Sequence, residues 1–462
     1  MGSLVPADGM RAALLPDAGA RTAQVAALAF GAALLVAPWL GHFDDTDAQL
    51  YQVVIRKMAE RKSWLDPAYL DHLYPHFREH LPFGLWPFAA ADLLAGPWAA
   101  RALAALFSLA TLALVAVLGR RLLGPWPAVV STLALAATET FFRYGGATRL
   151  DPLLVLLANA AAAPVLLGRA FPWASAVPLA ALAVLVKGPF GAVPLAAACG
   201  ARAILDRSPR LLYSGALAAA IALLPAAAFV ALAPGWWETY GRSQLFGSAL
   251  GTRADGSLAP WFPLVTVAGR FWPGLPLLLA GATLALRSRW PKARLPCLFA
   301  ALQIALLCLP SRKVWNHVLV AYPALALAAG CAALPLADWL AARRKALAGG
   351  CVALAALAWI SAPALGRLVD GPPCVAAREF AGELDALEPG EPILVASSPT
   401  SWRMLAELAA ERRLEPDPRP ALPAGTAALP RLALVQEPDI STAGWAELAR
   451  ARGWVLVRNV AR

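Results

Sequence analysis

The chain has 462 residues, of which 59% are hydrophobic and only 15% are charged, and its formal net charge is +11. This composition excludes an ordinary soluble globular protein and is typical of a membrane protein with many spans. The basic residues occur in short clusters between apolar segments rather than in one patch, so the positive charge does not indicate nucleic-acid binding.

The six cysteines are scattered along the chain, with no C-x-x-C or C-x-x-H spacing. We interpret them as small core residues, because neither a disulfide framework nor a zinc site has this distribution.

In chain order, residues 1–22 are predicted to be a polar tail, followed by a retained membrane anchor at 22–40 rather than a cleaved signal peptide. Further apolar segments bring the prediction to about eleven transmembrane helices in an α-helical polytopic membrane protein. The other segments are 98–118, 126–144, 150–167, 171–187, 189–205, 211–233, 263–286, 294–310, 315–340 and 346–365.

The connections between these segments alternate between basic and less basic, which predicts their orientation by the positive-inside rule. The basic connections are predicted to be cytoplasmic: Arg120-Arg121, Arg169, Arg202 to Arg210, Arg287 to Arg294 and Arg343-Arg344-Lys345. The loop after the first span, residues 141–150, 234–263 and 310–315 and the C-terminus are then predicted to lie outside. The segment 83–95 is too short to span and is expected to lie at the interface or to re-enter.

After about Gly366 the composition becomes that of a soluble domain. Apolar runs at 393–396, 432–435 and 454–457 predict buried strands, and 375–388, 401–413 and 442–452 predict helices, with a proline-rich loop at 415–430. We therefore expect three regions: a tail at 1–22, a transmembrane domain at 23–365 with an external loop at 41–97, and a small external α/β domain at 366–462.

The longest polar passage, His42 to Trp86, follows the first span directly. Asp47 starts a predicted amphipathic helix that continues through Tyr51 and Arg56. A carboxylate at the membrane–water boundary can act as a general base, although an acidic helix cap would produce the same pattern.

Several ionisable residues lie next to or inside predicted spans, where they are costly to place. They are Arg143, Arg149, Asp151, Lys187, Lys313 and His317. Snorkelling or helix-end charges could explain some of them. Bases on the outer face, where the positive-inside rule predicts few, suit the binding of a lipid phosphate or pyrophosphate.

The pattern D-x3-Y-x4-R-x-M-x5-W, formed by Asp47, Tyr51, Arg56, Met58 and Trp64, resembles the first external loop of the polyprenyl-phosphate-dependent glycosyltransferases. These are GT-C membrane enzymes that include protein O-mannosyltransferases and the aminoarabinose transferase of lipid A. Further segments resemble the family's motifs in the same order: FREHLPFGLW with Glu79 and Trp86, ATRLDPLL with Arg149 and Asp151, AVLVKGPFG with Lys187, and PSRKVWNHVLVAYPALAL with Lys313 and Pro323.

The chain also departs from the family pattern. The family's Asp-Glu pair is Asp47-Ala48 here, with Asp44 and Asp45 just upstream. The offsets to Tyr51 and Arg56 favour Asp47 over Asp45 as the base. A family lysine is replaced by His80, and a family tyrosine is replaced by His317.

The resemblance implies transfer of a sugar, with inversion, from a polyprenyl-phosphate donor to a lipid, glycan or protein acceptor, in a bacterial inner membrane with the site outside. Asp47 would be the base, and Glu79, Asp151, Asp45 and Tyr51 would orient sugar, acceptor or metal. The donor phosphate would contact six residues: Lys187, Lys313, Arg149, Arg143, His80 and His317. A divalent cation could bind the carboxylates, but we expect no cofactor and assign no metal ligand.

Two other classes stay open. A lipid or glycolipid transporter would use the same charges to bind a headgroup, although an internal repeat is expected of many transporters and none is found. A non-catalytic membrane scaffold is the other alternative, favoured by Ala48 in place of the second acid.

Overall fold

The computed structural model shows a mostly helical chain with a small sheet near its C-terminus. It describes residues 18–40, 46–70, 74–168, 173–252, 256–287, 289–369, 380–384, 387, 391–396, 408, 414–419, 430, 432–436, 445–451 and 454–460. Asp44, Asp45, Arg169 and the greater part of the predicted helix at 401–413 lie outside these residues.

Helices account for most of the described chain up to Val369. In order they are α1 Ala18–Leu40, α2 Thr46–Arg61, α3 Trp86–Ala95, α4 Pro97–Leu122, α5 Pro125–Ala136, α6 Glu139–Gly145, α7 Asp151–Leu166, α8 Trp173–Lys187, α9 Val193–Leu205, α10 Pro209–Leu232, α11 Gly247–Leu250, α12 Phe262–Arg270, α13 Gly274–Ala285, α14 Arg294–Leu307, α15 Tyr322–Gly330, α16 Ala337–Ala342, α17 Arg344–Val369 and α18 Ala381–Leu384. A π-helical segment, Trp237–Phe246, precedes α11, and short 3₁₀ segments include Gly188–Ala192 and Trp315–Ala321.

Within the described residues, six helical stretches are long and apolar enough to cross a membrane, or seven if the bent pair α12 and α13 counts as one span. Two shorter apolar helices, α5 and α7, accompany them. Large apolar side chains are exposed along several helices, for example Leu232, Leu279 and Ile360, as expected of surfaces that face lipid. The chain is a multi-pass membrane protein, and the predicted total of about eleven spans is not confirmed.

Two of the predicted spans are interrupted. The prediction 126–144 is divided into α5 and α6 by Thr138, whose backbone is extended. The prediction 263–286 is divided into α12 and α13, which are bent by 119°. Pro273 stands at this second break, where its ring restricts the backbone and removes a hydrogen-bond donor. The predicted interfacial segment at 83–95 contains α3, which is only 10 residues long.

Small residues allow the helices to pack closely. A β-carbon at Gly281 of α13 would collide with the backbone carbonyl oxygen of Ala328 in α15. A β-carbon at Gly145, at the end of α6, would lie 2.6 Å from Oγ of Ser108 in α4. Close backbone approach of this kind is how helices gain packing energy where lipid offers no hydrophobic driving force.

The five strands form one mixed sheet in the order β2-β1-β3-β5-β4. The strands are β1 Pro392–Ala396, β2 Glu415–Arg419, β3 Leu432–Gln436, β4 Trp445–Ala451 and β5 Trp454–Asn459. The first and third strands pair in parallel, and β5 runs antiparallel to β3 and β4. The three predicted strands are confirmed, because their buried apolar runs form the centre of the sheet.

Two predictions for this region are wrong. The predicted helix 442–452 contains strand β4, which pairs with β5 along its length. Pairing with a neighbouring strand here overrides the helix propensity of the alanines and Glu447. The predicted loop 415–430 begins with strand β2, whose two prolines are tolerated because β2 is an edge strand. The predicted domain boundaries stay a prediction.

Candidate active site

Four side chains from three parts of the sequence form a continuous chain of ion pairs. Nη2 of Arg149 donates to Oδ2 of Asp47 at 2.8 Å, and Nε of Arg149 donates to Oδ2 of Asp151 at 3.1 Å. Nζ of Lys187 donates to Oδ1 of Asp151 at 2.7 Å. One guanidinium therefore bridges two carboxylates through separate nitrogens of its planar fork.

The ends of three helices place these groups. Asp47 lies in the first turn of α2 and Asp151 begins α7, so both carboxylates face the positive end of a helix dipole. Lys187 ends α8, at the negative end of that helix. Because α7 and α8 pack against each other, the acidic start of one helix meets the basic end of the next.

Burial differs sharply along this chain of ion pairs. The side chains of Arg149, Asp151 and Lys187 are 1%, 3% and 4% exposed, whereas that of Asp47 is 52% exposed. Buried charges persist only when they are paired, and these three are. Asp47 is thus the carboxylate of the group that a substrate can reach.

Tyr51 lies one helical turn after Asp47 and is buried. Burial raises the pKa of its phenol well above the ordinary value, and the negative charge of Asp47 raises it further. The positive charge of Arg149 lowers this pKa by less, and Asp151 and Glu79 add smaller increases. The phenol therefore stays protonated and can serve as a hydrogen-bond donor, not as a base. The centre of its ring lies 5.8 Å from that of His80, and His80 in turn lines a neighbouring cavity.

A cavity of about 490 Å³ opens beside this group. Its lining includes a glutamate, a lysine and two histidines: Glu79, Lys187, His80 and His317. The His317 ring stacks on Phe190, with centroids 3.9 Å apart. The remaining lining is mostly apolar and includes Leu306 and Leu309, so the cavity combines a group of polar residues with an apolar wall.

The turn after Lys187 depends on a glycine. Gly188 has a φ of +74°, in the left-handed region, and a β-carbon there would collide with the hydroxyl of Tyr240. Gly84, in the loop between α2 and α3, likewise leaves room for the backbone of Val186. These close approaches hold the end of α8 against this loop and the π-helical segment.

Local contacts fix the loop between α2 and α3. Arg78 donates from Nε and Nη2 to the carboxylate of Asp66, each at 3.0 Å, and Nδ1 of His76 lies 2.7 Å from the same carboxylate. Nε1 of Trp86 donates to the carbonyl oxygen of Trp64 at 2.7 Å, which joins two of the motif residues.

The structure brings Asp47, Tyr51, Arg149, Asp151 and Lys187 together and places Glu79, His80 and His317 at the adjoining cavity. The described contacts of the other two predicted phosphate-binding residues are with different groups, and their role stays a prediction. Nζ of Lys313 donates to the carbonyl oxygen of Ser311 at 3.2 Å, and Lys313 is not among the described lining residues. Arg143 pairs with Glu139 at 3.1 Å. Asp45, the alternative base, lies outside the described residues.

Sequence reasoning missed several residues. Tyr240, Gln244 and Ser248 add polar groups to the cavity wall, but no motif marked the π-helical segment that carries the first two. Trp315 and Arg270 were also missed. The ring of Trp315 lies 4.9 Å from that of Tyr144, and the guanidinium carbon of Arg270 lies 4.4 Å from the centre of the Trp315 ring.

No group of three or more His, Cys, Asp or Glu side chains is placed to hold a metal ion in the part of the chain that the structure describes. The expectation that the protein needs no metal or other cofactor stays a prediction.

No protein-family model matches the chain, and no curated protein matches it by sequence. Solved structures do match. The crystal structure of ArnT from Cupriavidus metallidurans bound to undecaprenyl phosphate aligns with a TM-score of 0.67 and 17% identity over 99% of both chains. ArnT in the apo state aligns with a TM-score of 0.64 and 18% identity, over 93% of this chain and 96% of that one.

A more distant match is the archaeal oligosaccharyltransferase AglB from Archaeoglobus fulgidus, in complex with an inhibitory peptide and a dolichol-phosphate. It aligns with a TM-score of 0.54 and 14% identity, over 89% of this chain and 69% of that one. The resemblance found in the motifs is thus confirmed at the level of structure: the chain has the GT-C fold that ArnT and AglB share.

Proposed function

We propose that this protein is an inverting glycosyltransferase that moves a sugar from a polyprenyl phosphate, such as undecaprenyl phosphate, to an acceptor in the cell envelope. The observation that carries the proposal is the position of Asp47. It is the exposed end of a buried ion-pair chain, and the opposite end of that chain, Lys187, lines a cavity.

Sugar transfer requires one general base that removes the proton of the acceptor hydroxyl. Asp47 takes the proton from the acceptor hydroxyl while the acceptor oxygen bonds to the anomeric carbon. The bond between that carbon and the phosphate oxygen breaks, and its electron pair stays on the phosphate. Attack from the side opposite the leaving group inverts the anomeric carbon. Arg149 fixes Oδ2 of Asp47, which orients the carboxylate for this transfer.

The leaving phosphate gains negative charge as the bond breaks. Lys187 lies at the cavity wall with His80 and His317, so donors of hydrogen bonds stand where that charge would develop. Asp151 holds Lys187 at 2.7 Å, which keeps the ammonium in place before the donor binds. Preformed donors of this kind stabilise the transition state at no cost in rearrangement.

The shape of the cavity suits an amphipathic donor. Its polar end would hold the phosphate and sugar, and its wall of Leu306, Leu309 and neighbouring apolar residues would contact the prenyl chain. The fold neighbours support this assignment, since the ArnT structure has bound undecaprenyl phosphate and the AglB structure is a complex with a dolichol-phosphate. Lys313 and Arg143 are weaker candidates for phosphate binding, because their described contacts lie elsewhere.

We further propose a bacterial inner-membrane location, with the site and the C-terminal sheet outside. The distribution of basic connections along the sequence supports this orientation. The acceptor is an envelope molecule such as lipid A, another glycolipid or glycan, or a protein.

A deletion strain tests the function. Mass spectrometry of its lipid A, envelope glycans and secreted proteins should show one modification missing, which returns when the wild-type protein is expressed again. Membranes of the complemented strain should then transfer radiolabelled sugar from a polyprenyl-phosphate donor to the same acceptor. An unchanged envelope together with no transfer would refute the proposal and favour a transporter or scaffold.

A further inference from the structure

Two segments rich in basic residues meet where α4 and α13 end. Leu122 and Leu123, at the C-terminal end of α4, belong to one apolar cluster with Trp290 and Ala293, from the connection between α13 and α14. The basic residues that flank these contacts are all exposed. We call them the basic cluster: Arg120, Arg121, Arg287, Arg289, Lys292 and Arg294.

The charge of the basic cluster is not balanced by acidic side chains. In the part of the chain that the structure describes, no carboxylate pairs with any of its six residues, whereas Arg202 of the adjacent helix α9 pairs with Asp206 at 3.3 Å. The guanidinium carbon of Arg289 lies 5.6 Å from the centre of the Trp290 ring. The positive-inside rule accounts for basic residues in each connection, but not for their convergence around one tryptophan. Six exposed cations in one place attract an anion.

Exposed apolar side chains continue from the basic cluster along both helices. Val117 is 54% exposed and lies one turn before Arg120 and Arg121, on the same face of α4. Leu279 of α13 is 60% exposed, and Leu286, seven residues later at the end of that helix, is 88% exposed. A ligand with an anionic headgroup and hydrocarbon chains would therefore contact the cations and these apolar faces together.

The basic cluster is separate from the cavity proposed to bind the donor. Helix α14 begins at Arg294, in the cluster, and carries the cavity residue Leu306 near its other end. An α-helix rises about 18 Å between two residues so spaced. A headgroup bound at the cluster would thus leave the donor cavity open.

We propose that the basic cluster binds the headgroup of an anionic membrane phospholipid, with a preference for a headgroup that has two phosphates. Arg120 and Arg121 come from α4 and the other four bases from the connection to α14, so each segment can hold one phosphate. Guanidinium groups suit this role, because they bond phosphate oxygens in pairs. The lipid is a bound ligand here, neither donor nor acceptor, and the inference does not depend on the proposed glycosyl transfer.

Native mass spectrometry of the full-length protein measures this binding without turnover. Protein freed of lipid in a neutral detergent would be titrated with cardiolipin, which has two phosphates, with phosphatidylglycerol, which has one, and with phosphatidylethanolamine, which has no net charge. We expect cardiolipin to bind at least about tenfold more tightly than phosphatidylglycerol, and phosphatidylethanolamine to bind more weakly than either. Cardiolipin should also raise the Tm, because it binds the folded protein.

Two double variants test the cluster from its two segments. Arg120→Gln with Arg121→Gln changes the end of α4, and Arg289→Gln with Lys292→Gln changes the connection to α14. Each pair removes two cations near the headgroup and should weaken cardiolipin binding about tenfold or more. Because all four side chains are exposed, both variants should fold, and the Tm without lipid should stay near that of the wild-type protein.

Arg101→Gln with Arg242→Gln is the matched control, because it removes the same charge away from the cluster. Arg101 lies over the ring of Trp98 at 5.3 Å, near the start of α4, and Arg242 is an exposed residue of the π-helical segment. Cardiolipin binding by this variant should stay within about twofold of wild type. If the control lost as much affinity as the cluster variants, general charge would explain the binding and the inference would be wrong.

Three further results would overturn the inference. Phosphatidylethanolamine or phosphatidylglycerol could bind as tightly as cardiolipin. Inorganic phosphate could displace cardiolipin at an equal concentration, which would identify a site for free phosphate. Finally, His80→Ala, which alters the donor cavity, could abolish cardiolipin binding while both cluster variants retain it, which would place the lipid in that cavity.

Discussion

Arg149 and Asp47 are 102 residues apart in sequence, yet Nη2 of Arg149 donates to Oδ2 of Asp47 at 2.8 Å. The same guanidinium also bonds Asp151, so one buried cation sets the position of the proposed base relative to the buried pair behind it. The contact joins the first turn of α2 to the residue two positions before α7.

A substitution of Arg149 should distinguish the contribution of its charge to sugar transfer from the contribution of its hydrogen-bond geometry. Arg149→Lys keeps the positive charge but cannot bond both carboxylates through a planar fork. We expect transfer to fall about a hundredfold, because small errors in the placement of a catalytic group have costs of that order. The rate of sugar transfer by purified protein measures it. Arg202→Lys, in the half-exposed pair with Asp206, is the control and should stay near wild type. Equal rates for Arg149→Lys and wild type would contradict the positioning role.

The buried pair of Lys187 and Asp151 should matter for stability as well as for activity. Lys187→Met leaves the carboxylate of Asp151 buried with one partner fewer. It should lower the free energy of unfolding by about 3–5 kcal/mol, the usual cost of breaking a buried pair. Thermal unfolding in detergent reports this as a lower Tm.

The double variant Lys187→Met with Asp151→Asn removes the unpaired charge. It should recover part of the stability while staying inactive, because the cavity still lacks its ammonium. Arg458→Gln, which loses an exposed contact of 3.9 Å to Glu383, should leave the Tm almost unchanged. A single variant as stable as wild type would show that the pair contributes nothing to folding.

The turn at Gly188 allows a backbone test. Gly188→Ala places a side chain in the left-handed region, at a cost of about 1–2 kcal/mol, and forces the Tyr240 hydroxyl to move. Transfer and Tm should both fall. Gly349→Ala, inside α17 with open space around its β-carbon, should be neutral or stabilising by up to about 1 kcal/mol. If Gly188→Ala and Gly349→Ala had the same effect on transfer and on Tm, the close approach at Gly188 would not be important for function.

His80 and His317, which stand where the resembling family has a lysine and a tyrosine, should contribute to binding of the donor. His80→Ala and His317→Ala each remove a hydrogen-bonding group from the cavity and should raise the KM of the polyprenyl-phosphate donor about tenfold. His76→Ala, which alters an exposed contact to Asp66 outside the cavity, is the control. If His76→Ala raised the KM of the donor and His80→Ala and His317→Ala did not, the donor phosphate would not bind in this cavity.

The sequence was sufficient for the parts of the site that depend on short motifs. Asp47, Asp151 and Lys187 lie at the starts and ends of helices, and Tyr51 follows Asp47 by one turn, so charge and periodicity leave a visible pattern. That they act in one site was implied only by the resemblance to the glycosyltransferase family. The offsets to Tyr51 and Arg56 favour Asp47 over Asp45 as the base, and of these two acids only Asp47 is among the described residues.

Features that depend on tertiary packing could not be predicted. The bend between α12 and α13 brings Arg270 to Trp315, and hydropathy alone reads that segment as one span. The π-helical segment with Tyr240 has no periodicity that distinguishes it from an ordinary helix. Strand β4 formed from a helix-favouring sequence because β5 offered a pairing edge.

Sugar transfer by Asp47→Asn tests most directly whether Asp47 is the base. The substitution keeps the size of the side chain and removes its ability to accept a proton, so sugar transfer should fall by at least about a hundredfold, in the range of general-base contributions. Glu60→Gln, an exposed acid-to-amide change on the same helix, should retain full transfer at equal expression. Full transfer by Asp47→Asn together with its loss in Asp45→Asn would move the base upstream, and full transfer by both variants would contradict the central claim.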